Sequence, residues 1–498
     1  MHPTIALLLT TTFVLVLFWR DIKERPDISG AVWIPFVWML LTCSRSIAEW
    51  IGAGPTYDSP SDLVDGSPLD RLAFLTLQLG GLIVLVRRRL AWSTLVSRNM
   101  AMVVFLAYCF FAVLWSDFPF VAFKRWFKVL GLPIMVLVIA TEPNPREAFI
   151  RLMKRSAYVL IPFSIMLIKY YPQLGRHFSV WTGDATNSGV TTNKNELGYV
   201  CLLLGLFFVW HLLTVLRRGK TPGRRHELAL IIGFLWMIAW LLFMARSATS
   251  VTALAIGVST LLFLGLRFIK PRHAFAYLVG ALVIFLGAEA LFGVTDVLIG
   301  ALGRESTLSG RVQLWDELSR IDINPFVGAG FESFWLGERA ERLWAHHWWR
   351  PNQAHNGYLE TYLNLGVVGV GLLAAWIVAT LVTVRSALLS DFDFGRFRLA
   401  ALITVVVYNY TEASFKGPNP IWLLFFMIAI DYPTRRRATR PTVVGAMSSR
   451  GGSRELVPAA THAVSYNGAM RSTPRGTTGR QHIRANMAPR LDAQVPEG

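Results

Sequence analysis

The sequence predicts an all-α fold, a polytopic membrane helix bundle, and three observations predict it. Hydrophobic residues make up 53% of the 498-residue chain and charged residues only 16%, with a mean hydropathy of +0.44, a balance that a soluble domain of this size does not keep in solution. Apolar runs approaching the length of a bilayer core, about 20 residues or about 17 with snorkelling ends, recur from the first residues to Asp431. Lys and Arg gather at the ends of those runs, in alternate gaps, as the positive-inside rule requires.

Each span rests on its own apolar run. The first, Pro3 to Trp19, has no basic segment before it and no small-residue cleavage site after it, so it reads as a retained span rather than a signal peptide. Further spans are expected at Gly30 to Cys43, Leu72 to Val86, Met100 to Trp115, Trp126 to Thr141, Ala157 to Tyr170, Glu196 to Leu216 and Leu228 to Met244. The series continues at Ser250 to Phe268, Ala274 to Phe292, Tyr358 to Val384, Leu399 to Tyr410 and Ile421 to Asp431, giving twelve or thirteen spans with the N-terminus outside.

The basic clusters Arg20 to Arg25, Arg87 to Arg98, Arg146 to Arg155, Arg217 to Arg225, Arg267 to Arg272 and Arg385 to Arg398 place their gaps in the cytoplasm. The opposite gaps, Ser44 to Arg71, Tyr171 to Asn195, Arg246 to Thr249, Gly293 to Asn356 and Thr411 to Pro420, then face the outside or periplasm. Lys124, Arg125 and Lys128 fall on that outer side and break the rule. Residues 1–432 thus read as one membrane domain with a large, partly helical outer loop at 293–356. Residues 433–498 are rich in Arg, Ser, Thr, Gly, Pro and Ala and too poor in apolar residues to bury a core, which predicts a disordered basic cytoplasmic tail.

Composition excludes several function classes. The net charge of +18 sits at span ends and in the tail, which speaks for membrane topology and membrane lipids, and against nucleic acid. Cys43, Cys109 and Cys201 lie in or at the end of apolar runs without metal-ligand spacing, so they read as small buried hydrophobes.

The chemistry is expected in the segment Gly303 to Gly369, which carries Arg304, Arg311, Glu332, Arg339, Arg342, His346, His347, Arg350 and His355 between two apolar regions. His355 and Asn356 close the loop just before a span that contains Gly366 and Gly369. A histidine at a water–membrane boundary suits proton transfer near neutral pH, and glycines three apart allow another helix to approach closely. Trp344, Trp348 and Trp349 flank His346 and His347; such aromatic faces either stack on sugar rings or anchor a membrane interface. Adjacent histidines on a helix point apart and no carboxylate completes a set, so no metal and no cofactor are expected.

Five stretches, TTNKNELG at 191–198, MARSATS at 244–250, SGRVQLWDE at 309–317, NPFVGAGFESF at 324–334 and HNGYLETYLNLGVVG at 355–369, occur in the order found in a known family. On them, the chain up to about Tyr432 resembles the O-antigen ligase and polymerase superfamily, and within it the exopolysaccharide-production branch. The resemblance implies a GT-C-like, metal-independent glycosyltransferase of the bacterial cytoplasmic (inner) membrane. It would take glycan from an undecaprenyl-diphosphate donor and pass it, at the periplasmic face, to a hydroxyl on an acceptor glycan or lipid A core, alongside other polysaccharide-assembly proteins. The exopolysaccharide likeness leans towards polymerisation over ligation.

Carried over by position, the family's histidine falls on His355 and its two arginines on Arg246 and Arg311. Where many relatives carry His-Lys-Asn, this chain has Asn193, Lys194 and Asn195, which removes a proton role there. The residue chemistry agrees with that transfer. A diphosphate leaving group gathers negative charge as the glycosyl bond breaks, and guanidinium groups supply permanent, bidentate donors. Arg246 and Arg311 suit this role, with lipid snorkelling as the alternative for Arg246 and a solvated loop charge or an ion pair to Asp316 or Glu317 as that for Arg311; Lys194 either grounds a phosphate oxygen or caps its span. His355 is the expected base for the acceptor hydroxyl, Glu332 its rival, and Asn356, Asn195 and Trp349 are expected to orient the base or the sugar. A transporter or flippase of a polar or lipid-linked glycan is the second reading. It should place its ionisable residues near mid-membrane in matching halves, whereas here they gather in one loop.

Overall fold

Proline and short polar caps start many of the helices. Pro3, Pro68, Pro119, Pro145 and Pro420 each occupy a first helical turn, where a missing N–H costs nothing, and Ser67, Asn144 and Asn419 accept from the free backbone N–H groups that follow. In the computed structural model, which describes residues 1–24, 27–54, 67–178, 183, 185–219, 221–278, 280, 311–347 and 349–432, helices dominate. They are α1 (Pro3–Lys23), α2 (Trp33–Thr42), α3 (Pro68–Arg87), α4 (Trp92–Arg98), α5 (Met100–Phe111), α6 (Pro119–Val129), α7 (Gly131–Ala140) and α8 (Pro145–Tyr170). A small antiparallel hairpin, β1 (Arg176–Phe178) and β2 (Ala185–Asn187), pairs His177 with Thr186. Then come α9 (Lys194–Arg217), α10 (Arg224–Ala245), α11 (Ala248–Leu264), α12 (Arg311–Ser319), α13 (Gly337–His346), α14 (Gly357–Ser390), α15 (Phe392–Thr411) and α16 (Pro420–Ala429).

The all-α membrane bundle expected from the sequence is what the chain forms. Among the described residues, five helices (α1, α3, α9, α10 and α14) are long and apolar enough to cross a bilayer, and a sixth results if α4 and α5, bent by 91°, form one span. The expectation of twelve or thirteen counted apolar runs, and several runs take another form. Trp126 to Thr141 divides between α6 and α7, and Ala157 to Tyr170 is only the apolar half of the 26-residue α8. The other half of α8 buries Arg151, Lys154 and Arg155, and Asp21 of α1 accepts from Arg151 Nη1 at 2.7 Å and Arg155 Nε at 2.8 Å. A paired charge costs far less in an apolar surround than a lone one, which is how a charged half-helix stays inside the bundle.

Lys124, Arg125 and Lys128, the exceptions to the charge rule, lie on the short α6, where Arg125 donates to the Glu332 carbonyl and Lys128 sits 4.3 Å above the Phe74 ring. Arg125 therefore serves a contact with the loop and Lys128 one with α3, while Lys124 lies 5.0 Å over Phe120 of its own helix. Cys43, Cys109 and Cys201 are buried free thiols. The expected span at Ala274 to Phe292 from residue 281 on, the loop to residue 310 with Arg304, Trp348 and the tail 433–498 lie outside the described residues.

The core is aromatic where α5, α14 and α16 meet: the Trp376 ring stands 5.2 Å from Trp422 and 4.8 Å from Phe425. Lipid tails are as apolar as leucine, so close packing of this kind, with interhelical hydrogen bonds, holds such a bundle together. The NPFVGAGF stretch docks on α14 through its backbone. Ala329 N donates to Leu363 O (3.0 Å), Gly330 N to Asn364 O (3.0 Å) and Val367 N to Pro325 O (2.9 Å). Gly366 breaks α14 with φ 65° and ψ −167°, and a Cβ there would overlap the Phe326 carbonyl. The glycine expected to admit another helix instead admits this loop, because only a residue without Cβ turns left-handed against a facing backbone.

Candidate functional site

One site is assembled from the ends of α9, α10, α11, α12, α14 and α15. Asn193 caps α9 by accepting from Asn195 N and Glu196 N, both at 3.0 Å, which sets Lys194 and Asn195 on its first turn. One turn on, Gly198 lies against the α10–α11 junction, where a Cβ would come within 2.6 Å of Ser250 Oγ and 2.7 Å of Ser247 Cβ. Arg246 forms that junction: it ends α10 with φ 48°, is exposed, and makes no ion pair with another described residue. Thr249 Oγ1 meets Thr411 Oγ1 at 2.9 Å and so joins α11 to the end of α15.

Glu412, the next residue, is the hinge of the arrangement. Its Oε1 accepts from Arg311 Nη2 at 2.7 Å, and its Oε2 stands 3.3 Å from His355 Nδ1. Arg311 also donates to the Thr411 carbonyl. Glu412 is 6% exposed. Burial alone pushes its carboxyl up, but the His355 hydrogen bond and the Arg311 guanidinium outweigh that, and its pKa lies below the ordinary carboxylate value.

His355 is held from both sides. It adopts φ 50°, a left-handed conformation uncommon outside glycine. Before it, Ala354 O accepts from Trp315 Nε1 (2.7 Å) and Ala354 N donates to Glu360 Oε2 (2.7 Å). After it, Asn356 caps α14, accepting from Tyr358 N and Leu359 N at 3.0 Å. The other oxygen of Glu360 takes Trp335 Nε1 at 2.9 Å and Lys416 Nζ at 3.0 Å, which ties the loop to the 411–420 turn.

These groups border a cavity of about 320 Å³ whose lining includes Lys194, Asn195, Tyr199, His355, Tyr408 and Glu412, with His177 and Phe178 from the hairpin. The structure thus brings together His355, Lys194 and Asn195, with Arg311 one carboxylate away. Arg246 lies on the neighbouring turn. Asn356 acts as a helix cap. Glu332 does not line the cavity; its Oε1 accepts from Gly417 N at 2.6 Å. Trp349 packs edge-on to His347 at 5.4 Å, and its ring borders the apolar cluster of the loop. His347 contacts Glu317 Oε2, and no three His, Cys, Asp or Glu side chains among the described residues are grouped to hold a metal ion.

Sequence reasoning missed Glu412 and His177. Glu412 carried one signal, an acid directly after an apolar run on the expected outer side, and that signal also fits a solvated helix end.

Two comparisons bear on this geometry. Residues 232–374 match the O-antigen ligase family, a range that takes in Arg246, Arg311, Glu332 and His355 but neither Lys194 nor Glu412. The chain is also 27% identical over 357 residues to the exopolysaccharide production protein ExoQ of Rhizobium meliloti, covering 67% of this chain and 77% of that one.

Proposed function

The chain resembles the O-antigen ligase superfamily and its exopolysaccharide-production branch, enzymes of polysaccharide assembly at a membrane, and from that premise we propose a specific reaction. The protein transfers glycan from an undecaprenyl-diphosphate donor to a hydroxyl of an acceptor glycan, without a metal, in the cavity that opens at the periplasmic face.

The observation that carries this reading is the Glu412 bridge between His355 and Arg311. Glu412 stays ionised and can only accept, so the imidazole donates from Nδ1, and in its neutral form it keeps the Nε2 lone pair for the acceptor hydroxyl. The acceptor oxygen attacks the anomeric carbon and its proton passes to Nε2. The bond from that carbon to the diphosphate oxygen breaks, and the electron pair leaves with undecaprenyl diphosphate. We assign the stabilisation of this charge to Lys194 on the cavity wall, Arg311 behind Glu412 and Arg246 on the neighbouring turn, where electrostatic stabilisation is realised mainly in the transition state.

Purified protein given an undecaprenyl-diphosphate oligosaccharide and an acceptor glycan in excess chelator tests the reading. Wild type lengthens the acceptor. His355→Ala lowers kcat by about 10²- to 10⁴-fold, the usual worth of a general base. Arg311→Ala lowers kcat/KM by about 10²- to 10³-fold, the scale of one lost charge-stabilising donor. Full activity in His355→Ala removes the assigned base, and loss of wild-type activity on chelation removes the metal-free mechanism.

A further inference from the structure

The cavity has a second imidazole, on the β1–β2 hairpin. Arg45, from the turn after α2, is 7% exposed and reaches beneath that hairpin. Its Nη2 donates to the Leu174 carbonyl and stands 3.1 Å from His177 Nε2 and 3.3 Å from Ser188 Oγ, while the guanidinium lies 5.2 Å from the Trp50 ring centre. A guanidinium only donates, so His177 Nε2 is the acceptor and the neutral ring carries its proton on Nδ1. Burial, then the charge of Arg45, hold the His177 pKa below its ordinary value, with Glu49 acting weakly the other way. His177 is therefore a neutral, tautomer-fixed donor at neutral pH.

Its neighbour on the cavity wall, Phe178, is 79% exposed. A bare aromatic face beside a neutral N–H donor, with Asn195 and Gln353 amides on the same cavity, is the chemistry of a sugar ring. Its C–H face stacks on the aromatic and its hydroxyls take neutral hydrogen bonds. A diphosphate calls for permanent cations, and those are supplied elsewhere by α9, α10 and α12.

We infer that this hairpin reads the glycan: His177 Nδ1–H binds a sugar oxygen, Phe178 stacks on the ring, and Arg45 positions His177. The inference rests on the proposal that the cavity takes a lipid-linked glycan.

Binding to protein in nanodiscs, measured with an undecaprenyl-diphosphate oligosaccharide and with sugar-free undecaprenyl diphosphate, tests it. His177→Ala and Phe178→Ala each weaken the glycan-bearing ligand about tenfold and leave the sugar-free lipid within about twofold, the scale of one lost hydrogen bond or ring contact. His177→Asn, whose side-chain amide keeps a donor near Nδ1, recovers most of the loss. Arg45→Ala weakens glycan binding as His177→Ala does, and the double variant is no weaker than either single one. Equal loss for both ligands, or no loss for the glycan, overturns the inference. A wild-type protein that binds no lipid-linked glycan overturns this inference and the functional reading together. One that binds it with the expected His177 dependence but transfers nothing overturns the transferase reading alone.

Discussion

His355 and Arg246 both hold non-glycine backbone at positive φ, 50° and 48°, a conformation that costs of order 1–3 kcal/mol and persists only where neighbours impose it. For His355 those neighbours are Trp315, Glu360 and Glu412, and the strain fixes the imidazole over the cavity. Glu412→Gln keeps the size of the side chain but removes its charge and leaves one accepting oxygen where Arg311 and His355 use two, so kcat should fall roughly 10- to 100-fold with a smaller change in KM. The same variant tests the pH linkage. The folded-state pKa of Glu412 lies below its ordinary 4.5, so its stabilising contribution is complete above about pH 4.5 and is lost as pH falls through the folded value. In detergent, the thermal midpoint of wild type should drop on acidification below that point more steeply than that of Glu412→Gln; parallel curves contradict the assignment. The place of His355 beside the cavity was legible because it stands in a long motif before a span. Glu412 was not, because its meaning comes from Arg311, 101 residues earlier, and from His355, 57 residues earlier.

At the scale of elements, α14 shows where hydropathy succeeds and where it stops. Its apolar run announced a span, and helix runs from Gly357 to Ser390 with a break at Gly366. The break at Gly366 was invisible, because a glycine that turns left-handed and one that only packs look alike in a sequence. Gly366→Ala forces a Cβ against the Phe326 backbone at φ 65°, and we expect a destabilisation of at least about 2 kcal/mol together with release of the 324–334 loop, read as faster proteolysis there. Gly371, in the same helix, has open space where a Cβ would stand, with nothing within 4 Å, so Gly371→Ala should be neutral or stabilise by up to about 1 kcal/mol. Equal tolerance at both sites contradicts the docking role of Gly366. The burial of the basic half of α8 was hidden for the same kind of reason, since it is stabilised inside the bundle by Asp21 of a distant helix and no local window contains that partner.

At the scale of the molecule, the basic clusters and the cavity stand at opposite ends of the same helices: Arg217 ends α9 while Lys194 begins it, and Arg224 begins α10 while Arg246 ends it. That polarity was readable from charge alone, and it orients the proposal. A reporter fused after Arg339 should read periplasmic and one after Arg437 cytoplasmic; reversed signals would place the cavity on the wrong side for a periplasmic transferase. What separates a transferase from a carrier of the same lipid-linked glycan is the fate of the donor. Proteoliposomes given an undecaprenyl-diphosphate oligosaccharide and acceptor, followed by mass spectrometry, decide it. The account predicts that undecaprenyl diphosphate is released in step with new glycosidic bonds and that His355→Ala stops both; donor that crosses the bilayer and is recovered intact, with no acceptor lengthened, would contradict it.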